Sequence, residues 1–380
     1  MLLPMRRSVI FAVGLAALTL GVVLAWYAVR QEREYRRLIA AGDAALARDR
    51  TSDAIEAFSG ALALRGDSML AHLKRGDTYR RRGELDAALR DLRQAAALDP
   101  SAPRAAELLG DVHAALGHHD RAVEQYRTFT QLDDLSPRVL YKLGLAHFRT
   151  GNAAQAVEPL QRALALDPRL AEAHYLLGMC LREGRDTAGA LKAPTRAIEL
   201  DGAFVAAREE LVALLEETGR RRDAIEQLEA LAALEPARPE RLIDVGLAYA
   251  RWGWTETAIL TLGRAAERYP GRDDAYVALG RVWLDVAESR GDEGALNKAV
   301  DALRSRARTD TASSEALTLY GRALFLSGDI TGAERTLLRA AEMTPIDPVT
   351  LRYLAEAAER LGHSAQARAA RARHDALTGT

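Results

Sequence analysis

The sequence predicts an all-α protein built from about ten repeated helix hairpins, and three observations carry this prediction. The first is composition: 48% of the 380 residues are hydrophobic but only 6% are aromatic, and the abundance of Ala, Leu, Arg and Glu is typical of helices packed through small residues. The second is a period of 34 residues that starts at Tyr35. The third is a turn signal inside each period, between two stretches whose apolar residues have helical spacing.

Charge and cysteine content exclude several classes of function. The 52 Lys+Arg residues balance 53 Asp+Glu residues, so the chain lacks the excess of basic charge that nucleic-acid binding requires. With Cys180 as the single cysteine, the chain has no internal disulfide bond and no cysteine zinc cluster. We expect no cofactor, no small-molecule substrate and no nucleic-acid partner.

The N-terminus predicts a transmembrane helix. No residue from Ser8 to Val29 is charged, and these 22 residues would cover roughly the 30 Å hydrocarbon core of a bilayer. Trp26 and Tyr27 lie near one end, where aromatic rings favour the membrane interface. A secretory signal cleaved after Val23-Leu24-Ala25 and a buried core helix are the alternatives. We therefore divide the chain into a membrane anchor with its juxtamembrane segment, residues 1–34, and a repeat array, residues 35–380.

The orientation of the anchor rests on two opposing signals. Positive residues are slightly more numerous after the span than before it, which favours a cytoplasmic array. A basic segment followed by an apolar one, beginning here with Arg6 and Arg7, is typical of export signals. We expect a single-pass protein of the bacterial inner membrane with its array on the extracytoplasmic side.

The repeat frame is defined by counting positions 1 to 34 from Tyr35. Position 8 is glycine in six of the first seven units, the exception being Val212, and position 20 is alanine in all seven. The eighth unit reaches its alanine, Ala299, seven residues late, and Gly321 restores the frame in the ninth. The units start near residues 35, 69, 103, 137, 171, 205, 239, 273, 314 and 348.

Small residues where two helices cross allow a close approach of the backbones, so we expect Gly144 and Ala156 at the contact within the fourth hairpin. Glycines near position 15, such as Gly83 and Gly151, mark the turn, and Pro or Gly closes the second helix.

Three local irregularities are predicted. Pro159 and Pro194 should bend their helices or shorten the first turn, and the extra residues 288–294 should lengthen one hairpin turn.

This pattern resembles the tetratricopeptide repeat family, because period, glycine, alanine and proline agree over about 90% of the chain. The resemblance implies a superhelical solenoid whose first helices line a concave groove, with positions 2, 5, 9, 12 and 13 facing it. Members that clamp a C-terminal carboxylate do so with lysine and asparagine at positions 5 and 9. Here Asp43, Asp77, Glu107 and Asp111 occupy such positions and would repel a carboxylate, so we do not expect that activity.

No catalytic or metal-binding motif stands out. Phosphate loops, nucleophile elbows and zinc-binding helices are absent from the sequence, so we predict that the chain is not an enzyme. His118 and His119 fall in a turn, and His113 and His147 occupy equivalent positions where a packed ring with a satisfied nitrogen is expected. Cys180 lies beside apolar residues, as an inert buried thiol would.

The groove is the remaining candidate site. In the fourth and fifth units the groove positions supply an apolar, aromatic patch, and the sixth unit supplies an acidic wall. The patch comprises Tyr141, Leu145, Phe148, Tyr175 and Met179, and the wall comprises Glu209, Glu216 and Glu217. Such a surface suits a peptide or helix with hydrophobic anchors and basic flanks. The alternative is that these side chains pack on one another in a tightly wound superhelix.

The sequence thus predicts a membrane-anchored scaffold that recruits a protein or peptide partner for bacterial envelope biogenesis or complex assembly. Its layout is similar to that of anchored tetratricopeptide repeat proteins that assist envelope biogenesis. The alternative is an accessory or regulatory subunit of a secretion system, a polysaccharide-export system or a separately encoded enzyme.

Overall fold

A computed structural model describes the backbone of residues 3–309 and 311–379, with the side chains of Leu15, residues 18–309 and residues 311–379. Within these residues the chain forms twenty α-helices and no β-strand. The first ten are α1 (Leu3–Leu46), α2 (Thr51–Leu64), α3 (Met69–Arg81), α4 (Leu85–Leu98), α5 (Pro103–Ala115), α6 (His119–Leu132), α7 (Pro137–Arg149), α8 (Ala153–Leu166), α9 (Ala171–Glu183) and α10 (Thr187–Leu200). The second ten are α11 (Val205–Glu217), α12 (Arg221–Leu234), α13 (Pro239–Arg251), α14 (Thr255–Arg268), α15 (Asp273–Arg290), α16 (Glu293–Ala307), α17 (Ser314–Leu326), α18 (Ile330–Ala341), α19 (Pro348–Arg360) and α20 (Ser364–Thr378).

Helix α1 is 44 residues long, and its C-terminal part forms the first hairpin with α2. Tyr35 anchors this part, because its hydroxyl lies 2.6 Å from Ser68 Oγ and the Arg65 guanidinium stacks over its ring. In the part of the chain that the structure describes, no helix combines enough length and apolar character to span a bilayer. The predicted span, residues 8–29, includes side chains at 8–14, 16 and 17 that lie outside the described residues.

Most hairpins close on a contact between the glycine at position 8 and the side chain at position 24. A Cβ added to Gly144 would lie 2.7 Å from Leu160 Cγ and 3.4 Å from the carbonyl oxygen of Ala156, which confirms the predicted close approach. Leu160 is fully buried. The same contact joins Gly42 to Phe58 and Gly110 to Tyr126, so the missing side chain on the first helix makes room for a large one on the second.

The turn within each hairpin contains one residue whose backbone has the left-handed conformation, with a positive φ. Gly83 and Gly151 have φ values of 79° and 75°, as the sequence predicted, because glycine adopts this conformation without a steric penalty. In the first and fifth hairpins Asp49 and Arg185 take the same role with φ values of 58° and 62°.

Pro159 and Pro194 do not shorten their helices, because α8 and α10 run through them at 14 residues. A bend at either proline stays a prediction. Pro194 is buried, with its Cδ 2.7 Å from a Cβ placed on Gly178.

The prediction of a longer turn in the eighth unit was wrong, because the extra residues lengthen the helix instead. Helix α15 has 18 residues where its counterparts have 13, because buried Val286 and Ala287 continue its apolar face until Gly291 turns left-handed.

The chain divides into two compact units, Met1–Asp201 and Gly202–Thr380, which hold ten helices each. In the first unit the core consists of separate clusters, each shared by neighbouring hairpins. In the second unit one large cluster runs through α15 to α20. First helices of adjacent hairpins contact each other within each unit, as α7 and α9 do in the first and α17 and α19 in the second.

Candidate functional site

The predicted patch lies on two first helices of the first unit, α7 and α9. Helix α7 starts where Ser136 accepts a hydrogen bond from the backbone of Val139 and where Pro137 takes the first helical position. Helix α9 ends at Glu183, before Gly184. Both helices are 13 residues long, so equivalent positions of the two repeats fall on equivalent turns.

The structure places all five patch residues at half-buried positions. Tyr141, Leu145 and Phe148 pack with one side against the core cluster that includes Leu160 and Leu176. Tyr175 and Met179 are half-buried on α9. These side chains therefore contribute to the stability of the repeat stack and still present part of their surface to solvent.

Tyr141 also belongs to the wall of a cavity of about 520 Å³ in the first unit. The cavity extends over α3, α5 and α7 and the start of α9. Its walls are Arg80, Arg104, Glu107, Asp111, Arg138, Tyr141, Lys142, Leu170, Glu172 and Ala173. Most of these residues occupy positions 2, 5, 9 and 12 of the repeat frame, the positions that the resemblance assigned to the groove. We call this surface the first-helix cavity.

A network of ion pairs crosses the first-helix cavity. Lys142 Nζ lies 2.8 Å from Glu107 Oε1 and 2.8 Å from Asp111 Oδ1, so α7 is tied to α5. Arg104 lies 2.5 Å from Glu107 Oε2. Burial alone would raise the pKa of Glu107, but the hydrogen bonds and charges of Lys142 and Arg104 outweigh it and hold that pKa below its ordinary value.

Two charges in the same cavity have no protein partner among the described residues. Arg138 and Glu172 line it without an ion pair or side-chain hydrogen bond, and both are exposed. Tyr141 belongs to the same wall, and its pKa is raised by burial and by the negative charge of Glu172. A cation and an anion beside an aromatic ring are thus available to a ligand.

The predicted acidic wall lies on α11 of the second unit. Arg241 of α13 pairs with Glu209, and Arg251 lies 3.3 Å from Glu216. Glu217 is exposed. Arginines of the next repeat therefore offset the charges of Glu209 and Glu216, which the sequence frame did not reveal.

The histidines and the cysteine occupy structural positions. His147 Nε2 lies 3.3 Å from Arg127 Nη2, as expected for a satisfied ring nitrogen, whereas buried His113 Nδ1 has no partner in the described part of the chain. Burial raises the pKa of Cys180 to about 11, so its thiol stays protonated at neutral pH. Among the described residues, no three metal-ligating side chains converge on one point.

Sequence reasoning missed the ionic part of the first-helix cavity. Lys142 occupies position 6, outside the expected groove positions, yet its long side chain reaches the carboxylates of the preceding repeat. Lys74 does the same toward Asp43, at 2.6 Å. The signal was present, because lysine at position 6 follows an acidic residue at position 9 of the preceding repeat in both cases.

A stack of antiparallel helix hairpins with a period of 34 residues defines a helical repeat protein, the class whose stacked units expose long binding surfaces. A family model for the tetratricopeptide repeat matches residues 39–103, 73–137 and 141–203. These residues make up less than half of the chain, and over them the sequence is similar to tetratricopeptide repeat proteins, which are in general protein-interaction scaffolds and typically not catalytic.

Several solved structures are similar to parts of the chain. A crystal structure of MamA is 27% identical, covers 45% of this chain and 93% of its own, and has a TM-score of 0.43. YrrB, described as a tetratricopeptide repeat protein with an unusual peptide-binding site, is 23% identical over 48% of this chain and 94% of its own, with a TM-score of 0.44. A tetratricopeptide repeat protein from Parabacteroides merdae is 16% identical over 66% and 99%, with a TM-score of 0.48. A comparison with functionally curated proteins finds no match.

Proposed function

We propose that the protein is a membrane-anchored interaction scaffold that holds a peptide or helix of a partner protein against the first helices of its first unit. The observation that carries this proposal is the first-helix cavity, in which half-buried Tyr141 lies with unpaired Arg138 and Glu172. Interfaces take most of their binding energy from a few aromatic and arginine side chains at such places. The remaining patch residues on α7 and α9 extend the surface for hydrophobic anchors.

The charges specify the chemistry of the partner. Glu172 suits a basic side chain of the partner, and Arg138 suits an acidic one, on either side of an apolar anchor at Tyr141. Lys142 is already engaged by Glu107 and Asp111, so it contributes to the shape of the site more than to its charge.

The membrane part of the proposal is supported by the apolar surface of α1. Leu18 and Trp26 are 67% and 59% exposed, and the residues between them are exposed as well. Exposure of such apolar side chains is unfavourable in water and favourable in lipid. We propose a single-pass inner-membrane protein with the array outside the cytoplasm, acting in envelope biogenesis or complex assembly. A reporter active only outside the cytoplasm, fused after Thr380, should be active. Activity of a cytoplasm-dependent fusion alone would overturn the orientation.

The scaffold itself is tested by capture from membranes with the full chain. Proteins retained by the wild type are identified, and binding of each candidate is then measured with Tyr141→Ala plus Tyr175→Ala. Loss of these two aromatic side chains should weaken the affinity for a partner bound at this surface at least roughly tenfold.

Because Tyr141 also packs against the core, folding stability must be measured on the same sample. Arg138→Glu supplies a variant without this complication, since the side chain is exposed and unpaired in the described structure. A partner whose affinity is unchanged by Arg138→Glu and falls with the double variant only in proportion to unfolded protein does not bind at this site.

A further inference from the structure

A second cavity in the first unit lies on other helices, between α8, α9 and α10. Its volume is about 350 Å³. It is lined by Leu164, His174, Leu177, Leu181, Gly189, Lys192, Ala193, Thr195, Arg196 and Glu199. We call it the outer pocket. Neither the groove positions nor the proposed scaffold function uses it.

The outer pocket exists because the fifth repeat lacks side chains that other repeats have. In the second repeat, His72 at position 4 lies with Nδ1 3.0 Å from Asp91 Oδ1, at position 23, and with Nε2 3.1 Å from the Gly66 carbonyl. In the sixth repeat, Arg208 and Gln227 make the equivalent pair at 2.6 Å.

The fifth repeat keeps only half of this arrangement. His174 Nε2 lies 3.1 Å from the Pro168 carbonyl, so this nitrogen donates. Position 23 is Ala193, which cannot supply the acceptor that Asp91 supplies in the second repeat. Position 7, where Arg75 binds Asp91 at 2.6 Å, is Leu177. The place of a carboxylate and its arginine is thus an apolar cavity with an imidazole at its edge.

The lining is polar at one end and apolar at the other. Because α9 and α10 are antiparallel, His174 lies toward Arg196 and Glu199, whereas Leu181 lies beside Gly189. Arg196 pairs with Glu199 at 2.7 Å. Lys192 has no partner among the described residues and is exposed, so the rim carries one uncompensated cation.

We propose that the outer pocket binds a linear alkyl carboxylate, with the alkyl chain along Leu177 and Leu181 and the carboxylate at His174 and Lys192. From His174 to Leu181 the wall spans seven helical residues at about 1.5 Å each, or roughly 10 Å, which accommodates an extended chain of roughly eight carbons. The volume falls in the range of small-ligand pockets, an apolar cavity with a few convergent polar groups. The ligand carboxylate takes the place that Asp91 occupies beside His72.

The test is photo-crosslinking of the full chain in lipid nanodiscs with octanoate that carries a diazirine at its far end, followed by peptide mapping. Label is expected on α9 and α10. An excess of unmodified octanoate should remove it, whereas octyltrimethylammonium, which has the same chain and the opposite charge, should not. Ala193→Gln copies the residue of the sixth repeat and fills the pocket, so it should lower the label about tenfold or more.

Lys192→Glu is the second variant, because this exposed side chain can be changed without a folding penalty, and it should weaken binding in a salt-dependent way. Arg138→Glu, at an exposed position of the first-helix cavity, should leave the labelling of α9 and α10 unchanged. Label confined to α1, equal competition by the cationic amphiphile, or unchanged label in Lys192→Glu and in a folded Ala193→Gln variant would each overturn the proposal.

Discussion

The two units place the same frame positions in different environments. Position 12 is Phe148 in the fourth repeat, where it is half-buried, and Phe325 in the ninth, where it is 4% exposed. The difference comes from its neighbours: Tyr353 of α19 meets the Phe325 ring edge-on at 5.4 Å and Arg360 covers it at 4.2 Å. A repeat frame therefore predicts which side of a helix a residue faces. It does not predict whether the next repeat covers that residue.

The same contrast holds for the charges. In the second unit Arg322, at position 9, pairs with Glu288, and Tyr353 adds its hydroxyl to the same carboxylate. The equivalent face of the first unit leaves Arg138 and Glu172 without partners in the described structure. The second unit thus covers this face at Phe325 and Arg322 with its own side chains, while the first unit leaves Arg138 and Glu172 exposed.

The largest expected effect tests the comparison directly. Phe325→Ala should destabilise the second unit by about 3–5 kcal/mol, because it opens a cavity in a closed cluster. Phe148→Ala should cost the first unit only about 1–2 kcal/mol, because part of the ring is already exposed to water.

Both losses are measured by urea unfolding of the full chain. Three of the four tryptophans, Trp252, Trp254 and Trp283, report on the second unit, and circular dichroism reports on both. Equal losses for the two phenylalanines would contradict the contrast.

A feature common to the units should respond alike in both. Gly144→Ala and Gly321→Ala place a Cβ 2.7 Å and 2.5 Å from Leu160 Cγ and Leu337 Cγ, so each should lose about 1–3 kcal/mol of unfolding free energy through overpacking. Gly263, inside α14, has no atom within 4 Å of an added Cβ. Gly263→Ala is the control and should gain up to about 1 kcal/mol.

The fold was predictable because it rests on local and periodic signals. The glycine at position 8 and the turn glycines gave the hairpins, and the structure confirms an all-helical repeat solenoid. The site was less predictable, because exposure and ion pairing depend on side-chain lengths in neighbouring repeats. Lys142 reaches Glu107 and Asp111, and Arg241 reaches Glu209. The lengthening of α15 was missed because an insertion that keeps helical spacing gives no turn signal.

Position 11 offers a smaller test of buried polarity. His113 has a buried Nδ1 without a partner in the described structure, whereas Tyr249 at the same position of the seventh repeat donates to Glu229 at 2.6 Å. Because the fifth and sixth repeats carry leucine there, His113→Leu should fit and should stabilise the first unit by about 1 kcal/mol. Tyr249→Phe loses a made hydrogen bond and should instead cost the second unit up to about 1 kcal/mol. In thermal unfolding, His113→Leu should therefore raise the midpoint temperature and Tyr249→Phe should lower it.

The smallest expected effect is a difference between the two units in how their stability changes on acidification. In the first unit, burial and nearby arginines hold the pKa values of His113 and His147 below the ordinary value. Their unfolded forms therefore bind more protons below about pH 6.5, and stability falls as pH falls through that range. Glu107, with its lowered pKa, adds a further loss near and below its ordinary pKa.

In the second unit two carboxyl groups act with the opposite sign. Burial raises the pKa values of Asp244 and Asp285, so the folded state binds more protons between the ordinary value and the raised one, and stability rises as pH falls through that window. Urea midpoints between pH 7 and pH 4 should therefore fall by circular dichroism more than by tryptophan fluorescence. His113→Leu combined with His147→Leu should flatten the change between pH 7 and pH 5 in the first unit only, since these two rings are the ones with lowered pKa values. A parallel decline of both signals that the double variant leaves unchanged would show that acid acts on the two units alike.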